Sequence, residues 1–315
     1  MAAGSSTAGM PNFRTRLSSP QQDQPLRVKL FGIGSAGCNM IEGTQFPTVA
    51  FSTSNADLAR SHANRKLMMG VERLVGVSDS KQSVLKHLPS IAGHDILDVF
   101  NNTEVAFLFS GLGGITGSLG TKLFSSIASA RGTLDVVLVA MPFSAESIRR
   151  REMASRILSE IMSSSSLCLV FDNDKLSTLA PNLAISRAFS LMNGIMMRPV
   201  MDLCATMSRT DVPVVKQVLS GSNYGRFGLG LARSDERVER VVGESLSSPW
   251  FDFPQESVDA VIAVYSAADP WDKEAEKILS ALEQHFSKAR LLWGMYSDPA
   301  LGDRIRLSLV LCRKK

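Results

Sequence analysis

The chain predicts an α/β fold, a parallel sheet with helices on both faces, followed by a long helix and a smaller α+β part. Three observations carry this. Apolar, β-rich runs recur at LRVKLFG (26–32), TVAFSTS (48–54), EVAFLFS (104–110), LDVVLVAM (134–141) and SLCLVFD (166–172), each followed by a helix-like or loop segment. Short buried strands separated by helices imply a parallel sheet covered on both sides. After Asn173 a helical stretch over 183–205, broken or bent at Pro199, leads out of that sheet. Beyond Asp211 the pattern becomes a helix, a glycine-marked strand YGRFGLGLA (224–232), a helix ending near 247–249, DAVIAVYSA, a helix from Trp271 to Phe286, and the closing strands ARLLWGMYS and RIRLSLVLC.

With 315 residues, 44% of them hydrophobic, the chain has enough apolar side chains for a sizeable core, which excludes chain-wide disorder. The net charge of +4 is mild, and the basic runs Arg149 to Arg151 and Arg313 to Lys315 read as solvated faces, so no nucleic-acid partner is expected. Cys38, Cys168, Cys204 and Cys312 are far apart and form no CxxC pair, which fits a reducing compartment without a zinc or disulfide framework. The four histidines show no ligand spacing, and no protein-built metal site is expected. No apolar run approaches the roughly 20 residues that span a bilayer, so direct membrane insertion is not expected and a cytoplasmic location is. Residues 1–25, rich in Ser, Pro, Gln and Ala, read as a disordered tail; a transit segment, placing the protein inside a plastid or other organelle, is the alternative.

GIGSAG supplies Gly32, Gly34 and Gly37 between a strand and a helix, where small residues let helix-end N–H groups approach a diphosphate. Asn55 or Asp57 at the end of the next strand stands near the place of the acid that a dinucleotide fold carries about 20 residues on. A ligand-free turn and a dinucleotide site both remain open at this point. GLGGITG (111–117) then places a second glycine loop on the same carboxyl edge of the sheet, and a simple dinucleotide fold needs one.

The order of motifs resembles the tubulin and FtsZ family of GTP-binding cytoskeletal proteins over about residues 27–312, FtsZ more than the longer tubulins. FGIGSAGCN resembles the family's first glycine loop, SNADLA its second, GLGGITGS the GGGTG[ST]G signature, MPFSAESIRR the PFxxEGxxR segment, FDNDKL the PNDKL segment and AFSLMN the start of the central helix. The resemblance implies a Rossmann-like GTP-binding domain over 26–182, a central helix over 183–210 and a C-terminal activation domain over 211–315. It implies GTP or GDP as ligand, with Mg2+ carried by the nucleotide. The contacts implied are Gly34, Ser35, Ala36 and Asn39 from the first loop, Asn55 and Asp57 from the second, and Gly111, Gly113, Gly114, Thr116, Gly117 and Ser118 from the signature. Glu146 would meet ribose, Arg150 the nucleotide, and Phe189 and Asn193 the guanine. Stacking, amide pairing and carboxylate acceptance suit those residue types. Taken singly, Phe189 also reads as core, Asn193 as a polar helix face and Glu146 as a helix N-terminal acid.

Four departures bear on activity. Ile115 and Leu119 replace signature glycines; if residue 115 needs positive φ, a β-branched side chain there costs on the order of 1 kcal/mol or more. GVERLVGVSDS (70–80) lacks the glycine-rich γ-phosphate loop. Of the family's two water-positioning carboxylates one remains, Asp211. One alignment sets Val214 and Arg209 beside it in the motif, the other Ser208. Finally, RKK stands directly after the last strand, so recruitment by membrane tethers through a C-terminal peptide is not expected. The central helix also counts about one turn shorter than the family pattern from Asn193 to Asp211. The expectation is a head-to-tail filament protein with slow or residual GTP hydrolysis; the alternative is a non-catalytic regulator that co-assembles with or caps an orthodox FtsZ polymer. A dinucleotide oxidoreductase accounts for the first loop alone.

Overall fold

The computed structural model describes residues 14–18, 25–78, 94–176, 184–252 and 254–314. Arg14–Arg16 forms β1, and the first βα unit is β2 (Val28–Ile33) with α1 (Gly34–Met40). Next come β3 (Thr48–Ser52), α2 (Asn55–Arg60), β4 (Arg65–Met68), α3 (Val71–Ser78) and α4 (His94–Asp98). The sheet continues with β5 (Val105–Gly111), α5 (Ile115–Ala130), β6 (Leu134–Met141), α6 (Ile148–Met162) and β7 (Leu167–Asp172). Strands β2 to β7 pair in parallel, order β7-β6-β5-β2-β3-β4. Period-two alternation explains why the central strands are apolar on both faces. Phe107 and Phe109 enter one core with Leu138, Met196 and Val200, while Leu108 enters the other with Phe31, Phe124 and Ile157.

The long helix α7 (Ile185–Thr206) runs through Pro199 as one element, so of the break or bend expected at that proline, the break does not occur. At about 1.5 Å per residue, its 22 residues span about 33 Å. A short 3-10 turn (Arg209–Asp211) follows, then α8 (Val212–Leu219), β8 (Tyr224–Ala232), α9 (Arg237–Leu246), β9 (Ala260–Ala267), α10 (Asp272–His285), β10 (Arg290–Ser297) and β11 (Ile305–Arg313). β11 lies antiparallel between β8 and β9. These strands extend the first sheet, because β8 joins β7 through two residues, Cys168 opposite Tyr224 and Leu169 opposite Gly225. The Arg226 guanidinium reinforces that junction, donating to the Val170 carbonyl at 3.0 Å and forking onto Asp252 at 2.9 and 2.8 Å.

The disordered-tail expectation fails at Arg14–Arg16, which pairs in parallel with Leu291–Trp293 of β10. The reason is tertiary: Leu17 is buried in the core along α7, and both arginines lie over the Trp293 ring. Among the described residues, no helix is long and apolar enough to cross a membrane.

Candidate functional site

The two glycine loops leave neighbouring strands, since β2 pairs directly with β5. They meet there: Gly34 takes φ +72°, and a Cβ on it would lie 3.1 Å from the Gly117 amide nitrogen. A Cβ on Gly117 would lie 2.2 Å from the Gly111 carbonyl oxygen, an impossible distance, so the turn demands glycine. Beyond these loops opens a cavity of about 780 Å³ at the carboxyl edge of the sheet. It gathers Gly34, Ser35, Ala36 and Asn39, then Asp57, then Gly111, Gly114, Thr116 and Gly117, and from further along the chain Glu146, Arg150, Phe189 and Asn193. Thus five separate stretches converge on one wall.

Three expected contacts, Ser118, Gly113 and Asn55, are not part of that lining, and the expected acid Asp211 lies apart from it. Ser118 is buried behind the loop, where its Oγ accepts from the Gly113 amide at 3.0 Å; Gly113 itself takes φ +95° and turns the chain. Asn55 is exposed at the start of α2. Asp211 lies beyond the far end of α7, roughly a helix length away.

Loop geometry is fixed by local bonds. Thr53 and Thr116 share a hydroxyl hydrogen bond at 2.6 Å, linking the second loop to the signature loop. Asp57 accepts from Ser52 Oγ and Arg60, both at 2.9 Å. Glu146 accepts from the Phe143 amide at 3.0 Å and pairs with Arg150 at 3.0 Å, so the two residues expected at the sugar and nucleotide organise each other. Asp174 accepts from the Ser144 amide at 3.0 Å and ties that segment to the end of β7.

The expected strain at Ile115 is absent: it is the first residue of α5 and φ is not positive there. Its side chain is 45% exposed and lines the cavity. Leu119 is buried in the core between α5 and the sheet. The positive φ falls instead on Gly34 and Gly113, both retained. In the place of the γ-phosphate loop, Val71–Ser78 is helical; Asp79 and Ser80 lie outside the described residues.

Lining residues without an assignment from sequence include Phe143, Met192 and Asn173. Phe143 meets Phe189 edge-on, centroids 5.9 Å apart at 73°, and Phe189 remains 43% exposed, which rules out the core reading of that ring. Asn173 is 8% exposed, and its amide oxygen has no hydrogen-bond partner. A buried unpaired acceptor facing a cavity is a group awaiting a donor. FDNDKL held the signal, since an asparagine ending a buried strand at a carboxyl edge stands where ligands bind.

Among the described lining residues, Arg150 is the lone cation, beside Asp57 and Glu146. An anionic ligand would therefore be held mainly by backbone N–H groups of the loops and the α5 N-terminus. Beneath the first loop, burial and the nearby Asp57 push the Cys38 thiol up to about 11, so it is a protonated packing group.

At the other end of α7, Asp211 is 6% exposed. Its Oδ2 accepts from the Ser208 amide at 2.8 Å, the Ser208 hydroxyl at 3.1 Å and the Ser18 amide at 3.0 Å; its Oδ1 accepts from the Ser18 hydroxyl at 3.2 Å. It thereby caps the turn that starts α8. Of the other residues aligned with the catalytic loop, Arg209 pairs with Glu104, and Val214 packs against the core.

A parallel sheet with two apposed glycine loops, a helix N-terminus, an aromatic pair and three asparagines around one cavity defines a nucleotide-binding protein of the α/β class. The model of the Tubulin/FtsZ family GTPase domain matches residues 42–181. The cell division protein FtsZ of Methanothermobacter thermautotrophicus is 30% identical over 301 residues, covering 90% of this chain and 78% of that protein. Cell division protein FtsZ 1 of Thermococcus kodakarensis is 26% identical over 323 residues, 96% of this chain and 87% of the other. The fold is shared with an empty FtsZ dimer of M. jannaschii (24% identity, TM-score 0.78, 93% and 89% covered). It is also shared with a GTPγS-bound CetZ2 protofilament of Haloferax volcanii (18%, 0.72, 91% and 92%). The chain belongs to the tubulin/FtsZ family.

Proposed function

We propose that the chain is an FtsZ-like cytoskeletal GTPase of the cytoplasm, serving cell division, that stacks head to tail and hydrolyses GTP slowly at the contact between subunits. One observation carries the reading: the nucleotide cavity and Asp211 lie at opposite ends of α7, so a head-to-tail stack sets one subunit's acid against the next subunit's cavity. In this reading residues 26–182 form the GTP-binding domain, 183–210 connect and add Phe189 and Asn193 to the site, and 211–315 present the acid. Phe189 with Phe143 packs the base, Asn193 and Asn173 read its edge, Glu146 and Arg150 take the ribose side, and the glycine loops hold the phosphates. Asp211 orients the attacking water; a single such acid and a helical 71–78 segment support a low rate. Mg2+ carried by the nucleotide would neutralise phosphate charge. Asp57 and Glu146 are already paired with Arg60 and Arg150, which favours delivery with the phosphates over a protein-built cage.

A second reading, a non-catalytic partner that caps an orthodox FtsZ polymer, draws support from the engagement of both Asp211 oxygens by Ser18 and Ser208. Purified protein with GTP is expected to bind it, sediment as polymer and release phosphate, and Asp211→Asn is expected to cut release by about a hundredfold while leaving binding intact. Binding without polymer, joined to altered assembly of an orthodox FtsZ, would favour the second reading. Absence of GTP binding would remove both.

A further inference from the structure

The edge of β10 and the Asp211 turn together form a docking surface, and we infer that its occupant is this chain's own Arg14–Ser18, which a second copy must displace before Asp211 can reach that copy's nucleotide. The inference rests on the head-to-tail reading above. Its contacts are of three independent kinds. Backbone pairing comes first: Arg14, Thr15 and Arg16 sit opposite Leu291, Leu292 and Trp293, and the ladder continues with the Leu17 amide donating to the Trp293 carbonyl at 2.7 Å. This is strand addition to a sheet edge. Side chains then fix the register. Leu17 is 4% exposed, Arg16 lies 4.8 Å from the Trp293 ring centroid, and Arg14 donates to Glu276 at 2.9 Å.

The third contact joins this segment to the proposed chemistry. An ionised carboxylate has about four lone-pair sites. Those of Asp211 meet four donors, two from Ser208 in its own turn and two from Ser18, the amide at 3.0 Å and the hydroxyl at 3.2 Å. With Ser18 in place, both oxygens are engaged, Oδ2 by three donors, and the carboxylate is only 6% exposed, so the acid is shielded from an incoming water. Without it, the Ser208 cap on Oδ2 persists and Oδ1 is left with no donor among the described residues. Residues 14–18 therefore act as a strap, and Ser18 is the latch on the acid.

The full-length chain tests this with Ser18→Ala, which removes the hydroxyl donor, and Ser18→Pro, which removes the hydroxyl and the amide hydrogen. Nucleotide affinity, read at the distant cavity, reports that each variant is folded. Phosphate release per subunit is expected to rise severalfold in S18A and about tenfold in S18P. Hydrogen exchange gives a second readout: the Leu17 and Ser18 amides should be protected in the monomer and lose protection in the GTP polymer. Should wild-type polymer hydrolyse GTP while both variants match or fall below its rate, or those amides stay protected in polymer, the strap is merely structural and the head-to-tail reading survives. Should wild type and variants bind GTP yet neither polymerise nor release phosphate, the head-to-tail reading falls and takes the strap with it.

Discussion

Asn173 follows β7 with an amide oxygen that is buried and unpaired, on the wall of the cavity. An unmet acceptor destabilises the unliganded fold by about 1–3 kcal/mol, and a ligand that supplies a donor recovers it. Asn173→Leu is accordingly expected to melt at or above the wild-type temperature without nucleotide, and to show a smaller rise on adding GTP, with affinity down about tenfold. A variant that melts lower and binds GTP normally would make Asn173 a packing residue. The same scale explains why Ile115 is tolerated: regular helical φ makes no demand for glycine, and the side chain projects into open cavity.

Among the elements, α9, β9 and α10 are joined by one buried cluster. Arg237 Nε donates to Glu274 Oε1 at 2.7 Å, and the Tyr265 hydroxyl donates to Oε2 at 2.5 Å. Burial alone would raise the Glu274 carboxyl, but the bonds from Arg237 and Tyr265 outweigh it and hold it below its ordinary 4.5. A folded value below the unfolded one means stability gained above pH 4.5 and lost as pH falls through the depressed value. Glu274→Gln should cost about 1–3 kcal/mol at pH 7 and progressively less toward pH 3, measured by urea unfolding across that range. A constant difference would mean that the carboxylate charge is unimportant. Elements of this kind were legible where a local period existed: the apolar runs marked β5, β6 and β7 to within a residue or so. β1 was not legible. Three residues in a Ser- and Pro-rich segment carry no period, and β10, about 275 residues later, supplies what orders them. The convergence of the glycine loops with Phe189 and Asn193 could be read from motif order, whereas the recess of Ser118 and the exposure of Asn55 depend on side-chain direction that spacing leaves open.

For the molecule as a whole, the cavity and the acid are separated by the length of α7, so one subunit alone cannot bring them together. Turnover per subunit is expected to rise with protein concentration above a threshold, since a contact that does not close on itself grows into a filament. Mixing two deficient variants checks this directly. Asn193→Ala should bind nucleotide poorly and still present Asp211, whereas Asp211→Asn should bind nucleotide and present no acid. The mixture should outpace either alone at equal total concentration, and purely additive rates would show that each subunit works by itself.

The three-residue strand at the margin of the sheet has one more effect. β10 reads RLLWGMYS, and β1 with Leu17 covers it at Leu291 to Trp293. Unpaired apolar edges invite other chains to add strands, and the opposite margin, β4, carries Arg65 and Lys66, charges of the kind that discourage it. In the proposed head-to-tail stack, displacing residues 14–18 from Asp211 would also bare this flank of the sheet, so exposure of the acid and exposure of an apolar edge would depend on the same few residues.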